Sequence, residues 1–151
     1  MRLEQRFVVD APIDRVWALV MSPLEVGACI PGCETVEVLG PDRCRAVVAV
    51  RVGPVSARFA LEIEIVERRE PCGADFVTRG DEGGRASRLS ARSTLTLSAM
   101  DPQRTEVGYT SDIALAGRLA TVGLGLVRGK ARALGEDFAQ SLRARIGTAV
   151  T

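Results

Sequence analysis

The feature that most constrains the fold of this sequence is a change in hydrophobic period along the chain. In the middle of the sequence, apolar and small residues recur at every second position, with mostly polar residues between them. The three clearest sets are Phe59, Leu61, Ile63 and Ile65; Leu89, Ala91, Ser93, Leu95 and Leu97; and Val107, Tyr109, Ser111, Ile113 and Leu115. A period of two is typical of strands with one buried face, whereas a period near 3.6 is typical of an amphipathic helix.

The helical period appears at the end of the chain, from about residue 118 to residue 146. Its apolar stripe is formed by Leu119, Val122, Leu126, Leu134, Phe138 and Leu142. Turn signals rich in Gly and Pro divide the preceding segment into runs of strand length. The apolar face of such a sheet must be covered, and this long helix is the only predicted element able to cover it.

The start of the chain predicts one strand and two short helices. Residues 4–10 have strand character, and Asp10 with Pro12 favours a helix start, as a side-chain cap and as a first-turn proline. Ser22 and Glu25 have the spacing of a capping box, which predicts a second short helix that ends near residue 28.

Composition excludes several functional classes. The 20 Lys and Arg residues nearly balance the 19 Asp and Glu residues, and four Phe, one Tyr and one Trp offer few stacking platforms, so no nucleic-acid partner is expected. The sequence contains no His, which is the most common general base and metal ligand. We therefore expect no catalytic residues, no cofactor and no bound zinc, iron or molybdenum.

The four cysteines are predicted to be free thiols. Cys29, Cys33, Cys44 and Cys72 are scattered and do not match a zinc-site spacing. The first residues lack the layout of a signal peptide, and no 18-residue window is continuously apolar. These observations predict a cytoplasmic chain, in which disulfides are rare.

Four motifs carry a resemblance to a known family. They are Phe7-Val8-Val9-Asp10-Ala11-Pro12 before Val16-Trp17, then Ile30-Pro31-Gly32-Cys33-Glu34, Val52-Gly53-Pro54-Val55 and Gly117-Arg118-Leu119-Ala120. With them, the sequence resembles the CoxG family of carbon monoxide dehydrogenase accessory proteins, in the START/Bet v 1-like superfamily, also called SRPBCC, over nearly its whole length. The resemblance implies one α+β helix-grip domain over residues 1–151. In this fold a curved seven-stranded antiparallel sheet wraps around a long C-terminal helix, and two short helices follow the first strand.

The resemblance also implies a function. Proteins of this kind are accessory to molybdenum-type carbon monoxide dehydrogenases or related hydroxylases, are associated with bringing the enzyme to the inner face of the cytoplasmic membrane, and have a quinone or lipid as the natural cavity ligand. Two non-catalytic roles stay open: carrying a hydrophobic molecule, or docking through the outer surface. The alternative is an enzyme of the polyketide cyclase/dehydratase type that uses the same cavity.

The expected binding site is an apolar cavity between the sheet and the long helix. Its predicted lining is Phe59, Leu61, Leu95 and Tyr109 from the sheet, Val122, Gly123 and Leu126 from the helix, and Ile30 and Pro31 near the mouth. Tyr109 is the only Tyr; together with Ser93 and Ser111 it could orient a ligand oxygen, or it could simply bond the backbone. The helix glycines at positions 123, 125, 129 and 135 predict either close helix–sheet contact or space for a ligand.

Overall fold

The change in period corresponds to a sheet of seven strands and three α-helices in the part of the chain that the structure describes. The structure is a computed structural model that describes residues 1–149, with side-chain environments for residues 1–84 and 86–146. The elements are β1 (Arg2–Val9), α1 (Ile13–Val20), α2 (Pro23–Cys29), β2 (Cys33–Gly40), β3 (Arg43–Val52), β4 (Val55–Arg69), β5 (Gly73–Glu82), β6 (Ser87–Asp101), β7 (Arg104–Gly117) and α3 (Leu124–Ala149). The predicted helix-grip architecture is confirmed.

The strands form one antiparallel sheet in the order β1-β7-β6-β5-β4-β3-β2. Its register follows the alternation in the sequence, because Phe59 pairs with Val48 on one side and with Glu82 on the other, and all three lie on the inner face. The helix α3 crosses this inner face and contacts β1 and α2. β1 and β2 are the edges of the sheet, so α2 lies beside the β2 edge.

The start of the long helix differs from the prediction. Residues Arg118–Val122 form a 3-10 turn, and α3 begins only at Leu124. Gly123 separates the two with a φ of +104°, a conformation that L-residues rarely adopt. Because the helix begins anew after this break, the predicted apolar stripe does not continue through it: Leu126 is 52% exposed, whereas Leu142 is fully buried.

The predicted caps of the two short helices are not formed. Pro12 occupies the N-cap position of α1, and neither it nor Ser22 at the start of α2 makes a side-chain cap bond. Glu25 instead accepts a hydrogen bond from Arg145 of α3. The carboxylate of Glu25 therefore ties α2 to α3 rather than capping its own helix.

Two clusters of buried side chains hold α3 on the sheet. The first lies toward the C-terminal end of α3 and contains Phe7, Val9, Val16, Trp17, Leu97, Val107, Leu142 and Ile146. The second lies at the start of α3 and contains Val52, Ala57, Phe59 and Leu119, with Val122 and Val127 packed against it.

The connection from α2 to β2 depends on one glycine. Gly32 has a φ of +83°, and a Cβ at this position would collide with the backbone carbonyl oxygen of Ala49 on β3. The carbonyl of Gly32 also accepts a 2.8 Å hydrogen bond from the N–H of Ala49. Close approach to β3 therefore sets the direction in which the chain leaves α2.

Candidate ligand-binding cavity

An apolar cavity of about 280 Å³ lies beneath α2. The helix supplies Val26, the residue after it supplies Ile30, and the inner faces of strands β2 to β5 supply the opposite wall. The lining residues alternate along β4 and β5, as Ile63 and Ile65 do on β4. The cavity is thus formed where the short helix spans the edge of a strongly curved sheet without filling the space below it.

The wall is built from paired inner-face positions of neighbouring strands. Ala46 on β3 pairs with Leu61 on β4, and Phe76 on β5 pairs with Ile65. Ala46 is the small residue of this set, and its short side chain leaves room in the middle of the wall. These residues line a single cavity although they are distant in the sequence.

The charged groups at the cavity are compensated by ion pairs. Asp42 and Arg43 lie at the β2–β3 turn. Arg68 donates a 3.0 Å hydrogen bond to Asp42, and Arg43 pairs with Glu62 on the outer side of β4. The interior therefore presents neutral groups to a ligand, and a charged ligand would gain little there.

Two thiols also line the cavity. Burial raises the pKa of Cys33 and of Cys44, so both remain protonated and neutral near pH 7. The Cys33 S–H lies 3.7 Å from the carbonyl oxygen of Thr35. All four cysteines are free, and the described residues contain no group of three or more His, Cys, Asp or Glu side chains that could hold a metal ion.

Exposed apolar side chains occur close in the sequence to residues that line the cavity. Leu24 follows the lining residue Pro23, and Val38 and Leu39 precede the lining residue Gly40. Leu24 is 63% exposed and Val38 is 54% exposed. Apolar surface of this kind beside a cavity is typical of sites that exchange hydrophobic molecules or contact apolar partners.

Comparison with protein-family models gives one decisive match. The model of the CoxG family, described as the G subunit of carbon monoxide dehydrogenase, matches residues 6–147. The chain belongs to the CoxG family. Comparison with curated protein sequences finds no significant match.

Solved structures share the fold of this CoxG-family chain. A conserved protein from Geobacillus kaustophilus has a TM-score of 0.91 and 21% identity over 99% of this chain and 97% of its own. A START superfamily protein from Mycobacterium smegmatis has a TM-score of 0.78 and 14% identity over 98% of each chain. The ZhuI aromatase/cyclase from Streptomyces sp. R1128 has a TM-score of 0.71 and 17% identity over 100% of this chain and 96% of its own.

The structure brings two of the nine predicted site residues to the cavity, namely Ile30 and Leu61. Phe59 is buried in the second core cluster, and Val122 packs against that cluster. The space between β4 and the start of α3 is thus occupied by side chains. The cavity beneath α2 is therefore displaced toward the β2 edge from the position that the sequence predicted.

The remaining predicted site residues lie elsewhere. Leu95 packs against the first core cluster. Tyr109 donates a 2.6 Å hydrogen bond to the side-chain oxygen of Gln5, so its phenol is satisfied by a side chain rather than by the backbone. Pro31, Gly123 and Leu126 are exposed.

The helix glycines separate into two kinds. A Cβ at Gly135 would collide with the side chains of Gln5 and Tyr109, so this glycine allows close contact between α3 and the sheet. At Gly123, Gly125 and Gly129 nothing lies within 4 Å of an added Cβ. Close packing therefore accounts for Gly135, and for Gly125 and Gly129 the structure offers no explanation.

Sequence reasoning missed a buried carboxylate on the inner face. Glu82 is 6% exposed and accepts hydrogen bonds from Arg118 and from the Ser87 hydroxyl. These bonds, that of Arg118 first, lower the pKa of Glu82. The Ser87 hydroxyl also accepts a 2.9 Å bond from the N–H of Leu119, so this network attaches the 3-10 turn to the sheet.

The signals for the missed residues are present in the alternation of β5. Every second residue of β5 lies on the inner face, and this series runs from Phe76 and Thr78 to Glu82. The glycines that follow Glu82 indicate a turn, but Glu82 itself still belongs to the strand. The same alternation places Phe76 and Thr78 on the inner face.

None of the described helices is both long and apolar enough to cross a membrane.

Proposed function

We propose that this chain is a non-catalytic accessory protein that binds a hydrophobic molecule, a quinone or a lipid, in the cavity beneath α2. It acts with a carbon monoxide dehydrogenase or a related molybdenum hydroxylase. The observation that carries the proposal is the apolar, charge-compensated cavity of about 280 Å³ in a chain of the CoxG family. Each methylene group that leaves water for such a site contributes about 0.8 kcal/mol to binding.

The surface beside the cavity supports exchange of such a ligand. We propose that a hydrophobic molecule contacts the exposed side chains of Leu24 and Val38 as it enters, because both lie within two positions of lining residues in the sequence. We propose that the protein takes up or delivers its ligand at this place, at the partner enzyme or at the cytoplasmic face of the membrane. The same protein would then both carry the hydrophobic ligand and recruit the enzyme.

An enzyme of the polyketide cyclase/dehydratase type is the second candidate. It is favoured by the fold shared with the ZhuI aromatase/cyclase. Such an enzyme requires a positioned acid or base within reach of its substrate. In this cavity the ionisable groups are two thiols with raised pKa values and the ion-paired Asp42 and Arg43, an arrangement that favours binding over catalysis.

The test is a titration of the purified chain with a neutral fluorescent probe, N-phenylnaphthylamine, together with native mass spectrometry for a co-purified ligand. Val26→Trp places an indole in the cavity and is expected to abolish probe binding. Leu126→Trp makes the same type of change at an exposed position of α3 and is the matched control, which should bind as the original protein does.

Two outcomes would contradict the proposal. If neither variant changes binding, the probe occupies another surface and the cavity is incidental. If Leu126→Trp abolishes binding while Val26→Trp preserves it, the site lies between the sheet and the long helix, as the sequence alone predicted.

A further inference from the structure

One hydroxyl on the cavity wall has no hydrogen-bond partner in the part of the chain that the structure describes. Thr78 lies on the inner face of β5, opposite Ile63 on β4 and Ala91 on β6, and its side chain lines the cavity. Among the described residues, no hydrogen bond is made by this side chain. No fully buried side-chain oxygen or nitrogen among the described residues lacks a partner, so this hydroxyl is accessible and can bond a molecule in the cavity.

The other hydroxyls of the inner face are satisfied within the protein. Ser93 and Ser111 share a hydrogen bond of 2.8 Å. Thr105 donates a 2.8 Å bond to the carbonyl oxygen of Ala11. Tyr109 bonds to Gln5, as described above. Thr78 differs from all of these because its hydroxyl has no partner among the described residues and its side chain lines the cavity.

The chemistry around Thr78 limits what a partner can be. The thiols of Cys33 and Cys44 are neutral and are weak donors, and the charged groups of the cavity are compensated. A buried ligand oxygen at Thr78 is therefore expected to be neutral. At about 30 Å³ for each water-sized group, the cavity holds roughly nine such groups, which corresponds to one or two fused rings.

We propose that the Thr78 hydroxyl donates a hydrogen bond to a carbonyl oxygen of the ligand, and that this residue selects a neutral, ring-sized ketone or quinone over a plain hydrocarbon. The inference rests on the proposed function and assigns a chemical class to its ligand. The rest of a longer ligand would leave the cavity past the exposed Leu24 and Val38.

The probes are 1-tetralone and tetralin, which share one two-ring skeleton and differ by the carbonyl group. Both are unreactive toward thiols, so Cys33 and Cys44 do not interfere. Affinities are measured by displacement of N-phenylnaphthylamine from the full chain. Thr78→Val removes the hydroxyl at nearly constant shape, and Thr78→Ser retains it. Thr110→Val, at an outer-face position of β7, is the matched control.

Thr78→Val is expected to weaken 1-tetralone binding roughly three- to tenfold and to leave tetralin binding unchanged or improved. Thr78→Ser and Thr110→Val should keep the affinity for 1-tetralone within about twofold. Independently of any variant, the carbonyl stretching band of bound 1-tetralone should lie at lower frequency than in hexane, because a donated hydrogen bond weakens the C=O bond.

The two failures are distinguishable. If both probes bind the original protein but Thr78→Val lowers both affinities equally, or the carbonyl band of bound 1-tetralone is unshifted, the role of Thr78 is overturned while the cavity remains a binding site. If neither probe displaces N-phenylnaphthylamine and that compound itself does not bind, the proposed function fails and this inference fails with it.

Discussion

Filling the cavity from its wall should stabilise the protein and remove its binding capacity together. Ala46 is the suitable position, because it is 8% exposed, lines the cavity, and pairs with Val36 and Leu61 on the inner face. Ala46→Leu adds three carbon atoms that would project into open volume rather than into packed side chains. The effect of Ala46→Leu therefore distinguishes an open cavity that binds a ligand from a fully packed core.

The expected magnitude follows from the volume. Three carbon atoms occupy about 90 Å³ at roughly 30 Å³ each, which is about a third of the 280 Å³ cavity. At about 24 cal/mol for each Å³ of cavity removed, the free energy of unfolding should rise by about 2 kcal/mol. Burial of three carbon atoms at about 0.8 kcal/mol each gives the same value. The melting temperature should then rise by about 4–8 °C.

The assays are urea denaturation and titration with N-phenylnaphthylamine. Ala46→Leu is expected to weaken probe binding at least ~tenfold, because it removes room for about three ligand carbons. Ala60→Leu is the matched control, since Ala60 is exposed on the outer face of β4 and the chemical change is identical. A destabilised Ala46→Leu variant would mean that the wall is already packed. Unchanged probe affinity would mean that the ligand binds elsewhere.

Two further predictions concern the residues that shape the site. Gly32→Ala should lower the free energy of unfolding by more than about 2 kcal/mol in urea denaturation, because the φ of +83° is unfavourable for Ala and the added Cβ would collide with the carbonyl of Ala49. Gly83→Ala is the control and should be neutral, because the space around its added Cβ is open. Glu82→Gln should destabilise the protein most at pH values above the ordinary Glu pKa near 4.3, because the bond from Arg118 stabilises only the ionised carboxylate. The difference in stability from the original protein should close as the pH falls through the lowered pKa of Glu82. A difference in stability that does not depend on pH between 7 and 3 would contradict this account.

The sequence by itself determined the elements and the faces of the sheet. Hydrophobic period is a local property, so the spacing of Phe59, Leu61 and Ile63 was sufficient to place them on one face of one strand. With the order of the elements, this predicted the helix-grip fold that the structure has. The family resemblance carried by the short motifs is likewise confirmed by the match over residues 6–147.

The sequence did not determine where the long helix begins or which of its side chains face inward. The spacing from Leu119 to Leu142 is compatible with one continuous helix, and Gly123 is compatible with either a helical or a left-handed conformation. Packing of Leu119 in the second core cluster and the bonds of Ser87 and Arg118 select the break at Gly123. Once the helix restarts, the direction of Leu126 follows from the tertiary arrangement.

Only the tertiary structure decided the position of the cavity and which of the hydroxyl groups on the inner face have hydrogen-bond partners. A cavity is volume that remains between elements after they pack, and Val26 and Phe76 both line it although 49 intervening positions separate them in the sequence. Alternation can place Thr78, Ser93 and Tyr109 on the inner face, but it carries no information about which hydroxyl finds a partner there. That depends on which polar groups lie within reach once the chain has folded: Ser93 shares a bond with Ser111 and Tyr109 bonds to Gln5, whereas the neighbours of Thr78 across the sheet are apolar.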